Sequence, residues 1–351
     1  MGGILKFLGG LILAVALVLA VGFLVLRRGD IPLETLKQNY AVPASQYMAM
    51  PDGVVVHYRD EGADKTAAGK PEDEANFCRG FTDPACVDRQ RAAARVPTLV
   101  MIHGFSASTR DWDDWIRILK PHYRIISLDL PGHGLTSAPA GYKASIKGYA
   151  DLVDAVTARL GVRKFVLIGN SMGGGTAWTF ALRHPDRLDG LVLVDAVGWD
   201  RPKGRDTGKG PIIFRIMRSP AGLWVLRRID IRPLITQGLK SAFVDEKLVT
   251  PALVDRYSDF ARAPGHRDIL TSIQSGARAP VTEATIATIK VPTLILHGRD
   301  DKVIPFGNAL TLHQWIKDSQ LHGFGRCGHW VQIEHAARFV RLLSDFFAED
   351  A

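Results

Sequence analysis

A serine set between glycines is the first feature with chemical consequences. Residues 164–184 read KFVLI-GNSMGGG-TAWTFALRH: an apolar run, a tight glycine-rich turn, then a helical stretch. Gly169-Asn170-Ser171-Met172-Gly173 matches G-x-S-x-G in that strand–turn–helix setting. At the apex of so sharp a turn a serine adopts strained backbone angles, which expose its hydroxyl above the sheet. Side chains two residues to either side would collide with backbone, hence Gly169 and Gly173. A helix starting at Met172 points its positive end toward negative charge developing at the serine.

An unassisted serine hydroxyl is a poor nucleophile, so a base and an orienting acid are needed. The apolar run PTLIL (292–296) leads into HGRDDKVIP, and the end of a buried strand is where a carboxylate reaches the edge of a site. Spacing alone leaves Asp300 and Asp301 both open. His329, in HGFGRCGHW ahead of the last helical stretch, supplies the base, giving the chain order Ser, Asp, His. His57, His122, His184, His266, His313, His322 and His335 read as surface or packing residues. His103, His133 and His297 adjoin the candidate loops and read as loop hydrogen-bonding groups. An oxyanion needs two backbone N–H donors: Met172, directly after the nucleophile, and Phe105 in the loop HGFSAS, with His103, Gly104 and Asn170 in support. Losing one such donor typically costs ~10²–10³ in rate.

These residues require a scaffold, and the chain offers one. VVVHYRD (54–60), TLVMI (98–102), YRIISL (123–128), KFVLI (164–168), GLVLV (190–194) and PTLIL (292–296) read as strands. Runs that are apolar throughout, separated by amphipathic segments, indicate a parallel sheet buried on both faces. Helices are expected at 111–119, 145–159, 172–184, 307–316 and 334–347. The alternation stops between 198 and 285, where amphipathic pieces broken by Pro211, Pro220, Pro233 and Pro251 read as an inserted helical subdomain. Within it, residues 201–240 hold ten Lys or Arg and two Asp, a local charge of +8 that equals the net charge of the whole chain. That surface faces either solvent or anionic lipid headgroups, each basic residue near a membrane contributing about 1 kcal/mol.

The 351 residues are 46% hydrophobic and 23% charged, which excludes a disordered or low-complexity chain. Three cysteines exclude a disulfide scaffold. Cys78 and Cys86, in the polar stretch CRGFTDPAC, read either as a local disulfide or as two free thiols; Cys327 reads as a packed small residue. Between Lys6 and Arg27 lie 20 uncharged residues, FLGGLILAVALVLAVGFLVL, with no polar face. In a helix they span roughly 30 Å, the thickness of a bilayer core. The run exceeds the ~7–15 residues of a signal-peptide core and lacks a small-x-small cleavage site. An uncleaved single-pass membrane anchor over residues 1–28 is therefore expected. Arg27, Arg28 and Lys37 favour a cytoplasmic catalytic domain, a Cys78–Cys86 disulfide the opposite side. No phosphate-loop, dinucleotide or H-E-x-x-H motif occurs, so no cofactor or metal is expected. No nucleic-acid module occurs either.

The set His103-Gly104-Phe105, Asp129-Leu130-Pro131-Gly132-His133-Gly134, Gly169 to Gly174, Gly298-Arg299-Asp300-Asp301 and Gly328-His329 resembles the α/β-hydrolase superfamily over residues 50–351. The resemblance implies an α/β-hydrolase fold: a mostly parallel sheet flanked by helices, with an inserted helical cap, here joined to an N-terminal transmembrane helix. The division is then an anchor at 1–28, a core at 29–197 with an insertion at 61–96, a cap at 198–285 and the remaining core at 286–351. The family pattern G-x-x-D-x-x-x-P falls on Gly298, Asp301 and Pro305 and selects Asp301 over Asp300. HGFSAS, the SMGG elbow and the anchor are similar to the monoacylglycerol-lipase-like branch. That implies cofactor-free hydrolysis of carboxylic esters through an acyl-enzyme, with an apolar acyl ester as substrate and membrane lipid as partner. Carbon–carbon hydrolases of ring-cleavage products share the GNSMGG elbow but usually have a longer, glycine-rich oxyanion loop. Perhydrolases share the triad. Branches with an aspartate nucleophile are excluded by Ser171. A non-catalytic binding protein would usually have lost a triad member, and none is missing.

Overall fold

The computed structural model describes residues 2–62, 98–197, 219–275 and 281–349. Eight strands form one sheet: β1 (Ser45–Ala49), β2 (Val55–Gly62), β3 (Thr98–Ile102), β4 (Arg124–Leu128), β5 (Phe165–Asn170), β6 (Leu188–Val194), β7 (Thr293–Gly298) and β8 (Gln320–Phe324). Their order is β1-β2-β4-β3-β5-β6-β7-β8. β1 pairs antiparallel with β2 and β2 with β4, and the pairings from β4 through β8 are parallel.

The reason the central strands are mostly apolar is visible in the packing. Leu99 and Met101 of β3 enter one core cluster, Val100 and Ile102 the other. Val166 and Ile168 of β5 face the first side, Phe165 and Leu167 the second. Strand side chains alternate, so a sheet covered on both faces is apolar at most positions. Helices Ile146–Arg159, Met172–Arg183 and Gly307–Trp315 cover one face through Tyr149, Val153, Phe180 and Leu312. Asp113–Leu119 and Ala336–Glu349 cover the other through Trp115, Ile116, Phe339 and Leu343. Each such side chain contributes about 1.5–3 kcal/mol on burial.

β1 and β8 carry no continuous apolar run and were not expected. Both lie at the sheet edges, where most of their residues stay partly exposed. Between β6 and β7 the described residues contain helices Pro220–Leu226, Arg232–Ala242, Pro251–Ala261, His266–Ser275 and Glu283–Ile286, and no strand. The insertion beyond Gly62, with Cys78 and Cys86, lies outside the described residues, as does the basic stretch from 198 to 218.

The amino-terminal run forms a helix, Gly2–Leu26. Among the described residues, however, no helix is long and apolar enough to cross a membrane. The transmembrane span expected over residues 1–28 is therefore not supported. What is shown is a junction at the end of the helix. Asp230 N–H donates to Leu26 O at 2.7 Å, Arg28 N–H donates to Arg228 O at 3.0 Å, and Phe23 stacks on Trp224. The chain then runs through helix Leu33–Tyr40, whose Tyr40 hydroxyl donates to Asp259 at 2.7 Å.

Candidate active site

Ser171 follows β5 and precedes the helix beginning at Met172, with φ 53° and ψ −114°. A positive φ at a residue with a side chain is strained and persists only where the surroundings enforce it. Two glycines permit it. A β-carbon on Gly169 would overlap the carbonyl of Gly173, and one on Gly173 would overlap the carbonyls of Ile102 and His103. The elbow is thus wedged against the end of β3. There the HGFSAS loop begins, and Gly104 sits so close that a β-carbon would lie 3.2 Å from Ser171 Cβ and 2.9 Å from Asn170 Oδ1. Phe105, Ser106 and Ser171 line a common cavity.

His329 Nε2 lies 2.8 Å from Ser171 Oγ, and its Nδ1 lies 2.7 Å from Asp301 Oδ2. Burial opposes a charge on Asp301, yet the adjacent His329 charge and hydrogen bonds from His297 and His329 hold its carboxyl well below the usual range. Asp301 is therefore ionised and accepts the Nδ1 proton, which leaves Nε2 to accept the serine hydroxyl. Burial pulls the His329 pKa down, but the charge and hydrogen bond of Asp301 and the charge of Asp195 raise it overall. Asp301 Oδ1 accepts the N–H groups of Val303 and Ile304 at 2.7 and 2.8 Å, which fixes the carboxylate. Asp300 is exposed and points its backbone N–H at Cys327 O, so geometry pairs Asp301 with the imidazole. His329 itself hangs from the helical insertion, its N–H donating to Ala242 O at 2.7 Å.

The structure holds a second Ser–His–Asp array, which sequence reasoning missed because His57 looked like a packing residue. His57 Nδ1 lies 2.7 Å from Asp129 Oδ2 and Nε2 lies 2.8 Å from Ser45 Oγ. Burial opposes the Asp129 charge, but the His57 charge and hydrogen bond lower its pKa to about 2. Distances alone do not separate the two arrays. Surroundings do. Ser171 lines the cavity, whereas Ser45 sits on edge strand β1 with its Oγ already accepting Val42 N–H at 3.0 Å. Asp129 also accepts the N–H groups of Thr109 and Leu135, at 2.7 and 2.8 Å, and so pins the end of the HGFSAS loop from behind. His103 accepts Leu130 N–H at Nε2 and donates from Nδ1 to Gly104 O; burial lowers its pKa and keeps it neutral.

The cavity beside Ser171 and His329 measures about 170 Å³. Its wall is apolar, with Leu226, Ile235, Leu239 and Leu270 from the helical insertion and Trp330 from the histidine loop, and it carries two arginines, Arg227 and Arg267. Tyr257 also lines it and donates its hydroxyl to Asp111, which Arg256 meets at 3.0 Å. This buried cluster ties helix Pro251–Ala261 to the residues following the HGFSAS loop; no sequence motif announced it. Asp195, His297 and Asp301 present polar atoms within 4.8 Å of one another. Their carboxylate oxygens are occupied by backbone N–H groups and His329, so the group reads as a charge network. Cys327 is buried and unpaired to sulfur, and burial pushes its thiol pKa up, which leaves it unreactive.

A family model described as alpha/beta hydrolase fold matches residues 97–336. The chain is 35% identical over 263 residues to the 2-hydroxymuconate semialdehyde hydrolase of Pseudomonas sp. CF600, covering 72% of this chain and 87% of that one. It is 32% identical over 261 residues to a 2-hydroxy-6-oxo-2,4-heptadienoate hydrolase of Pseudomonas putida, covering 72% and 89%. A meta-cleavage product hydrolase from Pseudomonas fluorescens superposes with a TM-score of 0.67 at 26% identity, covering 87% of this chain and 98% of that one. These relatives overturn the expected ester hydrolysis and the monoacylglycerol-lipase branch, since they are named for the carbon–carbon bond chemistry held above as the alternative.

Proposed function

Because the chain belongs to the α/β-hydrolase fold family, we propose that it hydrolyses a carbon–carbon bond in a 2-hydroxy-6-oxo-dienoate, the ring-opened product of an aromatic compound. The observation that supports it is the Ser171–His329–Asp301 array opening on an apolar cavity that also carries Arg227 and Arg267. Such a substrate has an apolar end beside its ketone and a carboxylate at the other. The cavity offers a matching apolar wall and two arginines, although Arg227 pairs with Asp268 and contacts Thr271, and Arg267 pairs with Asp30.

In the keto tautomer, the ketone is flanked by a methylene conjugated through a double bond to a second ketone. Ser171 Oγ attacks the first ketone carbon and His329 Nε2 takes its proton. The Phe105 and Met172 N–H groups hold the oxyanion. Collapse of the adduct breaks the bond to the methylene, and its electron pair flows to the far ketone oxygen, which takes the proton from His329. The other fragment stays on Ser171 as an ester. Water, deprotonated by His329, then releases it as an acid. Asp301 holds His329 in the working tautomer throughout. Within the cap expected over 198–285, the helices between Pro220 and Ser275 wall the acyl end.

The test compares 2-hydroxy-6-oxo-6-phenylhexa-2,4-dienoate with p-nitrophenyl butyrate. A kcat/KM at least about 100-fold higher for the dienoate is expected, from the transition-state contacts that a matched substrate adds. Turnover of the ester with none of the dienoate overturns the reading.

We also propose that the helix Gly2–Leu26 holds the enzyme to a membrane. Phe7, Leu13, Leu17, Val18 and Leu24 are each more than 60% exposed, an apolar surface that the described residues leave uncovered. Removing residues 2–21 is expected to move the protein from the membrane fraction to the supernatant. A protein that never sediments with membranes refutes it.

A further inference from the structure

Asp195 stands at a junction that the chemistry above does not use. It follows β6 directly, is fully buried and has φ 44°. Its N–H donates to Leu296 O at 2.9 Å, beside the end of β7. Its two oxygens serve two different loops. Oδ1 accepts Gly298 N–H at 2.9 Å, at the root of the loop that carries Asp301. Oδ2 accepts Val331 N–H at 3.2 Å, two residues past His329. The same two loops meet through backbone nearby. Asp300 N–H reaches Cys327 O at 3.0 Å, and a β-carbon on Gly298 would overlap the carbonyls of Cys327 and Gly328.

We propose that Asp195 is a positioning residue for the triad, one carboxylate that clamps the acid loop to the histidine loop and sets a second negative charge behind His329. The proposal rests on Ser171 being the nucleophile. Asparagine is nearly isosteric but cannot replace it, because it offers one acceptor to two N–H donors.

The titratable groups around Asp195 are His297 on β7, Asp301 on the acid loop, and Cys327 and His329 on the histidine loop. His297 Nε2 lies 2.8 Å from Ile304 O and 3.4 Å from Asp301 Oδ2. Its Nδ1 is buried with no hydrogen-bond partner among the described residues. Burial raises the Asp195 carboxyl to about 6, the neighbouring His297 and His329 charges opposing the rise and Asp301 adding to it. Asp195 is in turn among the charges that raise the His329 pKa. Removing its charge must therefore make His329 easier to deprotonate, and the acid-side midpoint of any reaction that needs neutral His329 moves to lower pH.

The test is the rate at which a fluorophosphonate labels Ser171 as a function of pH, which does not depend on which substrate is natural. Asp195→Asn is expected to lower the plateau rate roughly 10–100-fold, as for other lost orienting partners. It should also move the midpoint down by about half a pH unit or more. Absence of either change overturns the proposal. Should Asp195→Asn yield no folded protein, Val331→Pro removes the Oδ2 donor and keeps the charge, and proline suits the first residue of helix Val331–Glu334. It is expected to lower the plateau about tenfold with the midpoint unmoved, and an unchanged plateau overturns the clamp. Wild-type protein that takes no label at Ser171 strikes the nucleophile itself, and this proposal with it.

Discussion

Ser171→Ala is expected to lower kcat by roughly 10⁴–10⁶ and leave KM within a few-fold, because the hydroxyl reacts but hardly binds. The size follows from the array. Without Oγ, His329 and Asp301 have nothing to activate but water, and the HGFSAS loop is left to stabilise a reaction that starts from a weaker nucleophile. The variant also discriminates between the two Ser–His–Asp arrays. Fluorophosphonate labelling followed by peptide mass spectrometry should mark Ser171 alone in the wild type and nothing in Ser171→Ala. Label on Ser45 would show that hydrogen-bond geometry outweighs surroundings, contrary to the reading of that array as a loop support.

Asp301→Asn should cost about 10⁴ in kcat, and the reason lies on the far side of the carboxylate. Oδ1 accepts two backbone N–H groups, from Val303 and Ile304. An asparagine must keep its carbonyl there, so its NH₂ turns to His329. The imidazole then accepts at Nδ1 and carries its proton on Nε2, facing Ser171 with a donor where an acceptor is needed. Loss of the carboxylate charge also lowers the His329 pKa, so the acid limb of the residual activity moves to lower pH. Raising the pH restores little, because the tautomer is wrong at every pH. A pH–rate profile of the variant checks both statements, and an acid limb that moves up contradicts them.

The sequence revealed those parts of the fold that physics writes as uninterrupted patterns. β3 through β7 are covered on both faces, so most of their positions are apolar, with Ser127, Asn170, Thr293 and His297 as buried polar exceptions. β1 and β8 are edge strands with one side toward solvent, and SQYMA and QLHGF resemble loop. Ser171 stood out because a tight turn between glycines dictates residue types, and His329 by its place in the chain order. Asp301 came only from the family pattern, spacing having left Asp300 open. The structure sets the three side by side. The Asp129–His57 and Asp195 contacts were not legible, since each joins residues from distant strands with no spacing rule between them. Asp111 with Arg256 and Tyr257 is the same case. The bond cleaved was misjudged for another reason. GNSMGG suits either reaction, and the short HGFSAS loop with the apolar amino terminus tipped the reading toward esters. The cavity wall comes largely from the helical insertion, whose sequence is irregular and follows no motif.

The hydrogen bonds that join Leu26 and Arg28 to residues 228–230 have a mechanical consequence. Leu226, Arg227 and Ile231, on either side of that seam, form part of the cavity wall. A load on the amino-terminal helix is thereby passed to the wall of the cavity beside Ser171. Trimming the protein upstream of Phe23 leaves the seam stitched, whereas trimming past Leu26 removes a hydrogen bond that holds residues 228–230 beside the chamber wall.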